Sequence, residues 1–357
     1  MKVLVVDDSV VFRSQIKDAI NTLPGVEVVG VASNGKIAIE KIKQSEIDLI
    51  TLDMEMPVLN GLQTLEQIVQ EKLDVKVLVF ASKTARGADD TLKALELGAI
   101  DFIAKPSGSS SSLDESLEKI KVELLPKITQ FMGNNKTNKV RVLKKPPENR
   151  FVKKTMGIFK PQCIVIASST GGPAALEFAL KGLEDPLNCP ILIAQHMPPV
   201  FTQSLARRIQ SISGIACDEA KHDEVLATNR IYVCPGDFHM KLKKTDMGIQ
   251  IKLDKEGLRN NIRPAADYLF ESAVEIFGSN TLGIVLTGMG EDGKDGAVAI
   301  KNNNGGVIIQ DADSCVVFGM PRSVYECGAF DEMGDLDFIN QHLSRMTKNF
   351  KIMRNIS

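Results

Sequence analysis

Two sets of residues in this chain have the types and spacing that chemistry uses. The first is acidic. Asp7 and Asp8 follow the apolar run KVLVV, and Asp53 follows LITL. Ser82 follows KVLVFA, and Lys105 follows DFIA just before Pro106. Three carboxylates brought together repel unless a divalent cation neutralises them, and a hard oxygen cluster with few ligands and room for water suits Mg²⁺. Such a pocket can hold a phosphoryl group, with Asp53 as nucleophile and Ser82 and Lys105 gripping the phosphoryl oxygens. Taken singly, an acid after a strand could merely cap the next helix. All five residues at one sheet edge are hard to explain that way.

The second set is Ser169 in SSTGGPAAL after CIVIA, His196 after PILIAQ, and Asp292 in GMGEDG after LGIVLT. Hydroxyl, imidazole and carboxylate at three strand ends have the composition of a nucleophile, a base and the acid that orients the base. The order Ser, His, Asp matches none of the three familiar ones, but roles follow geometry rather than order. Ser169 would sit against a helix N-terminus, whose free N–H groups favour a developing oxyanion. Candidate oxyanion donors are the backbone N–H groups near Met289 and in the turn of Thr170, Gly171 and Gly172. Alternatives stay open at this point. Ser168 is a second hydroxyl, His222 and His239 are other imidazoles, and SSTGG alone could cradle a phosphate or a dinucleotide. Nothing in this second set asks for a cofactor.

The elements that must position these groups can be read from periodicity. Over residues 1–132 the β-rich runs KVLVV, VEVVGVA, LITL, KVLVF and DFIA alternate with helical stretches from Val10, Lys36, Leu62, Asp90 and Leu113. Five β/α units in a row predict a doubly wound parallel sheet, whose ligands bind at the carboxyl ends of the strands. The last helix should run to Met132, with Ser109–Ser112 supplying cap-type residues. Residues 133–160 break the pattern with GNNKTNK and KKPPENR, and carry nine Lys or Arg against one acid, Glu148. This reads as a basic linker. From residue 161 onward CIVIA, PILIAQ, RIYVC, LGIVLT and GVIIQ predict a second α/β domain. KLKKTDMGIQIKL there has the alternation of a β-hairpin insert.

Bulk properties narrow the function classes. A length of 357 residues suits two domains, and 43% hydrophobic with 25% charged residues is ordinary for a globular chain. A formal net charge of -2 supplies no whole-protein field for nucleic acid or an anionic membrane. The start lacks a signal-peptide stretch, and no run of about 18 apolar residues suggests a membrane span. None of the six cysteines forms a CxxC-type pair, which argues against zinc or a redox dithiol and for a reducing cytoplasm.

Residues 1–130 resemble the CheY-like receiver domain of two-component response regulators through VVDDS, LDMEMPVLNG, ASK and GAIDFIAKPS. The resemblance implies that Asp53 is phosphorylated and that Asp8 and Asp53 ligate Mg²⁺ directly. Asp7 would help through water, and the backbone carbonyl of Glu55 would complete the protein ligands. Residues from 162 to about 335 resemble the catalytic domain of the chemotaxis protein-glutamate methylesterase (CheB) family, through IVIASSTGGP, AQHMPP, YVCPGDFHMKL, IRPAADYLF, IVLTGMGEDG and SCVVFGMP in this order. The family nucleophile, the Ser before Thr-Gly-Gly, falls on Ser169; where the family usually has Gly-Ala before it, this chain has Ala167 and Ser168. The resemblance implies hydrolysis of glutamate methyl esters on methyl-accepting chemotaxis receptors, deamidation of receptor glutamines in many members, and phosphorylation by a chemotaxis histidine kinase. An unphosphorylated receiver would cover the active-site edge. Two rival readings are a nucleic-acid-binding output with the basic linker as an arm, and a non-catalytic adaptor that docks on receptors. The absence of a helix-turn-helix pattern weighs against the first, so neither nucleic acid nor membrane insertion is expected.

Overall fold

The computed structural model describes residues 1–106, 113–132, 151–183 and 187–348. The chain divides into two compact units, Met1–Val142 and Leu143–Ser357. In the first, strand and helix alternate as β1 (Lys2–Val6), α1 (Val10–Ile20), β2 (Glu27–Ala32), α2 (Gly35–Gln44), β3 (Leu49–Asp53), α3 (Gly61–Gln70), β4 (Lys76–Ala81), α4 (Ala85–Glu96), β5 (Asp101–Ala104) and α5 (Leu113–Met132). The sheet order is β2-β1-β3-β4-β5, with every pair parallel. Helices cover a parallel sheet on both faces, so its central strands are apolar almost without interruption. Val3, Val5, Leu49, Leu78, Phe80 and Ile103 bury one face against Ile16 and Ile20 of α1 and Ile120, Leu124 and Ile128 of α5.

Capping side chains set where the helices begin. Ser9, Asn34, Asn60 and Thr84 each accept a backbone N–H from the first turn that follows, and Asn60 and Gln63 do so reciprocally. Such a cap contributes about 1 kcal/mol. Thr84 explains why α4 starts at Ala85 rather than at the expected Asp90. Its first turn, Ala85–Ala88, lacks the apolar spacing that marks a helix in sequence. The serines 109–112, read as cap residues for α5, lie outside the described residues.

The second unit contains β6 (Cys163–Ser168), α6 (Gly172–Leu180), β7 (Ile191–Gln195), α7 (Phe201–Ser213), β8 (Cys217–Glu219), β9 (Ile231–Val233), β10 (His239–Thr245), β11 (Gly248–Asp254), α8 (Ala266–Phe277), β12 (Thr281–Val285), α9 (Lys294–Asn302), β13 (Gly306–Gln310), α10 (Met320–Cys327), β14 (Glu332–Gly334) and α11 (Leu336–Lys348). Seven parallel strands form a sheet in the order β14-β13-β12-β6-β7-β9-β8, and β10 and β11 pair as a separate antiparallel hairpin. From β6 the chain proceeds one way to β7 and β9; from β12 it proceeds the other way to β13 and β14. The strand order therefore reverses between β6 and β12, which opens a crevice at their carboxyl ends.

Residues 151–160, read from sequence as the end of the linker, belong to the second unit. Met156 and Phe159 are buried there, and a short 3₁₀ turn spans Met156–Ile158. Lys301 and Asp331 form a buried pair at 2.6 Å, and the chain satisfies what remains of both. Lys301 donates to Val152 O (2.9 Å), and Asp331 accepts the Lys154 amide. The basic side chains of this run lie over aromatic rings, Lys154 above Phe159 at 4.1 Å and Lys153 above Phe330 at 5.9 Å. Lys153 stays exposed, while Lys154 gives its ammonium to Ser279 O (2.6 Å) and Asn304 O (2.7 Å), so a charged run covers apolar surface. The rest of the expected linker, 133–150, lies outside the described residues. No helix among the described residues is long and apolar enough to cross a membrane.

Candidate active site

In the first unit the strand ends bring Asp7, Asp8 and Asp53 together, with one carboxylate oxygen from each within 4.8 Å of the others. Asp7 and Asp53 are buried and Asp8 lies at the rim. Lys105 Nζ reaches Asp53 Oδ1 at 2.8 Å and Asp7 Oδ2 at 3.1 Å. The Glu55 amide donates to Asp53 Oδ1 at 3.2 Å. The second oxygen, Asp53 Oδ2, is buried with no hydrogen-bond partner among the described residues. Burial pushes the Asp53 carboxyl up to about 6; Lys105 pulls it down, and Asp7 adds to the rise. Burial alone would lower the Lys105 ammonium, but Asp53 and Asp7 outweigh it and hold Lys105 above the usual lysine range. A buried, unpartnered anionic oxygen in a three-carboxylate cluster has the donor chemistry of a hard-cation site. Ser82 points elsewhere: its hydroxyl donates to Glu55 Oε1 at 2.6 Å, so it must leave Glu55 to reach a phosphoryl oxygen.

In the second unit the reversal between β6 and β12 gathers the other set. His196 Nε2 lies 2.7 Å from Asp292 Oδ2, which leaves Nδ1 as the ring nitrogen that can take a proton. Asp292 is 1% exposed. Its Oδ2 also accepts from the Ala266 amide (2.6 Å), and its Oδ1 from the Asp267 amide (3.2 Å) and Asn260 Nδ2 (3.3 Å). Burial would raise this carboxyl, but His196 and the two amides outweigh it and hold Asp292 below the usual range. Its charge is retained where the fold has removed water.

Ser169 follows the last residue of β6, whose Ser168 is in register with Gln195 of β7, so Ser169 and His196 leave neighbouring strand ends. The Ser169 hydroxyl is half-buried and makes no hydrogen bond to His196 or any other described residue. Ser168 is fully buried, and its hydroxyl donates to Gln195 Oε1 at 2.6 Å. The Ser168 hydroxyl is thus committed within the fold, whereas that of Ser169 is not. Gln195 Nε2 in turn donates to Ser169 O (3.0 Å) and His196 O (3.2 Å).

Close packing fixes the turn. Gly171 has φ +74°, and a Cβ there would lie 2.6 Å from Val316. A Cβ on Gly288 would lie 2.8 Å from Ser169 Cβ. The Gly172 amide donates to Ser169 O at 2.7 Å, which removes it from the oxyanion candidates. The Gly171 and Met289 amides have no acceptor among the described residues, whereas Thr170 contributes its carbonyl to Thr287 Oγ1 at 2.9 Å.

The other imidazoles are occupied. His239 is buried, with Nδ1 accepting the Ala265 amide and Nε2 facing Gly257 O at 3.2 Å. His222 lies on the surface and accepts the Leu253 amide. All six cysteines are free, and burial pushes Cys189, Cys217 and Cys315 up to about 12, which disfavours the thiolate at these three. Sequence reasoning passed over Asn260, Asp267 and Gln195. Gln195 had a signal, a polar residue closing the apolar run PILIA. Asp267 lay within the run IRPAADYLF without being singled out, and Asn260 had no signal; their partner Asp292 lies more than 20 positions away.

A five-stranded receiver with an acidic pocket, followed by an α/β unit that sets hydroxyl, imidazole and carboxylate at its topological switch point, defines a response regulator with a hydrolase output. Residues 3–118 match the response regulator receiver domain, and residues 164–343 match the CheB methylesterase domain. A protein-glutamate methylesterase/protein-glutamine glutaminase of Thermotoga maritima is 42% identical over 93% of this chain and 94% of its own. One of Pyrococcus horikoshii is 39% identical over 95% and 91%. The crystal structure of the Thermotoga maritima CheB catalytic domain is 42% identical and superposes with a TM-score of 0.51, over 52% of this chain and 99% of that one. The chain belongs to the CheB methylesterase family.

Proposed function

We propose that the chain hydrolyses glutamate methyl esters on methyl-accepting chemotaxis receptors through Ser169, His196 and Asp292, under control of phosphorylation at Asp53. The carrying observation is the 2.7 Å contact between His196 Nε2 and a buried, ionised Asp292, on the strand end next to Ser169. His196 Nδ1 takes the proton from Ser169 Oγ as that oxygen bonds to the ester carbonyl carbon. The oxyanion forms beside the Met289 and Gly171 amides; one such donor is worth about 2.7–4 kcal/mol of transition-state stabilisation. His196 then returns the proton to the departing methanol. Water releases the glutamate by the same route, with Asp292 stabilising the imidazolium each time. A primary amide in place of the ester would lose ammonia, so the reading extends to receptor glutamines.

In the receiver, the Asp53 carboxylate accepts a phosphoryl group from a chemotaxis histidine kinase, and Lys105 and Ser82 hold its oxygens. Asp8, Asp53 and the Glu55 carbonyl would ligate Mg²⁺, with Asp7 acting through water; when bound, Mg²⁺ balances the charge that develops on the phosphoryl oxygens. We place the protein in the cytoplasm, where these receptor segments and phosphodonors reside. The test is methanol release from methylated receptor by wild type and Ser169→Ala. Release should fall by at least about 10³-fold in the variant while receptor binding persists. Retained hydrolysis by the folded variant would end the reading.

A further inference from the structure

Behind Asp292 lies a second carboxylate with no part in the mechanism above. Asp267 opens the first turn of α8 and is 1% exposed, as is Asp292. The two share donors: Asn260 Nδ2 lies 3.2 Å from Asp267 Oδ2 and 3.3 Å from Asp292 Oδ1, while the Asp267 amide donates to Asp292 Oδ1. Asp267 Oδ1 accepts the Gly296 amide at 2.8 Å. The charged groups facing it come from three directions. Arg259, on the segment before α8, places Nε 3.6 Å from Asp267 Oδ2 but gives its two terminal nitrogens to Glu271, at 2.7 Å each, and one of them also to Asp295, at 3.3 Å. Asp292 faces it from the turn after β12, and Asp295 from α9.

Two buried carboxylates in contact with one amide cannot both be charged without large repulsion, because little water is present to screen it. They differ in their donors. Asp292 has the imidazole and two backbone amides, whereas Asp267 has one backbone amide and a guanidinium committed elsewhere. We propose that Asp267 is a positioning residue that carries the proton of this carboxylate pair, which keeps the charge on Asp292, and that its own ionisation retunes the basicity of His196. Burial and the Asp292 charge together push Asp267 up to about 7. A negative charge appearing behind Asp292 favours the imidazolium over the neutral ring. The kcat/KM profile of the wild type then reports a coupled system rather than one histidine.

This inference rests on the Ser169–His196–Asp292 reading, and the experiment separates the two. The full chain and Asp267→Asn are compared for methanol release from methylated receptor between about pH 5.5 and about pH 9. An uncharged Asn should turn a broad rise in two steps into a single step, and move the acid limb to lower pH by at least about 0.3 units. A ratio of wild type to variant that stays constant across the range would overturn the proposal. Since Asp267→Asn could fail to fold, infrared difference spectra of an Asp53→Asn chain, which lacks the raised carboxyl of the receiver, supply an independent readout. A buried protonated carboxyl should titrate near neutral pH with no substrate present, and its absence would also overturn the proposal. Failure of the parent reading shows differently, as hydrolysis retained by Ser169→Ala, whatever Asp267 does.

Discussion

The receiver pocket and the hydrolase crevice lie at the same kind of place, the carboxyl ends of parallel strands, and handle buried negative charge in opposite ways. The receiver presses Asp7, Asp8 and Asp53 together around one lysine and leaves Asp53 Oδ2 without a protein partner. The crevice gives Asp292 an imidazole, two backbone amides and a side-chain amide. One site is electrostatically incomplete, as the cation and phosphoryl group proposed for it would require. The other has its field organised in advance, as a site must when charge develops only in the transition state. Similar topology therefore dictates where charge collects, and the local donors decide how far it is neutralised by the protein itself.

The contrast can be broken most severely at Asp292. Asp292→Asn keeps the shape but reverses one donor–acceptor relation with His196, and should lower kcat by about 10⁴-fold, measured as methanol release. The next effect is regulatory. Asp53→Asn should abolish stimulation by a small phosphodonor, which in the wild type should amount to roughly 5- to 150-fold, without touching the unstimulated rate. Stimulation that survives would place the switch elsewhere.

The smallest effect concerns stability. Asp53 is raised in the folded state to about 6, so its neutral form stabilises the receiver, fully at pH below its ordinary value of 3.8. That contribution is lost as pH rises through about 6. Without divalent cation, Asp53→Asn should therefore stabilise the receiver by about 1–3 kcal/mol near pH 7, and by progressively less as pH falls below the folded value. Thermal unfolding of both proteins at several pH values checks this, and added Mg²⁺ should narrow the gap at neutral pH. Asp292, held low by its donors, should show the opposite slope, its stabilisation lost only as the solution becomes acidic.

The same contrast explains what was legible in the sequence. Strand ends were readable because both sheets are buried on two faces and their strands are unbroken apolar runs, so Asp53, Ser82, Lys105, Ser169 and His196 could each be placed beside one. Short edge strands were not. β8 and β14 hold three residues each, CDE and EMG, with no periodicity to detect. The anchoring of residues 151–160 was hidden because a lysine-rich run looks solvated until Phe159, Phe330 and the buried Lys301–Asp331 pair are seen to hold it. Asn260 and Asp267 were hidden for a different reason. A carboxylate's role depends on which other carboxylate the fold sets beside it, and residue spacing carries no trace of that.

Gln195 shows how narrow a structural vocabulary can become. Its one side chain accepts a hydrogen bond from the Ser168 hydroxyl and donates to the carbonyls of Ser169 and His196. Glutamate would set an anion against two oxygens, asparagine falls a methylene short, and leucine strands all three neighbours. Position 195 accordingly favours glutamine for reasons internal to the fold.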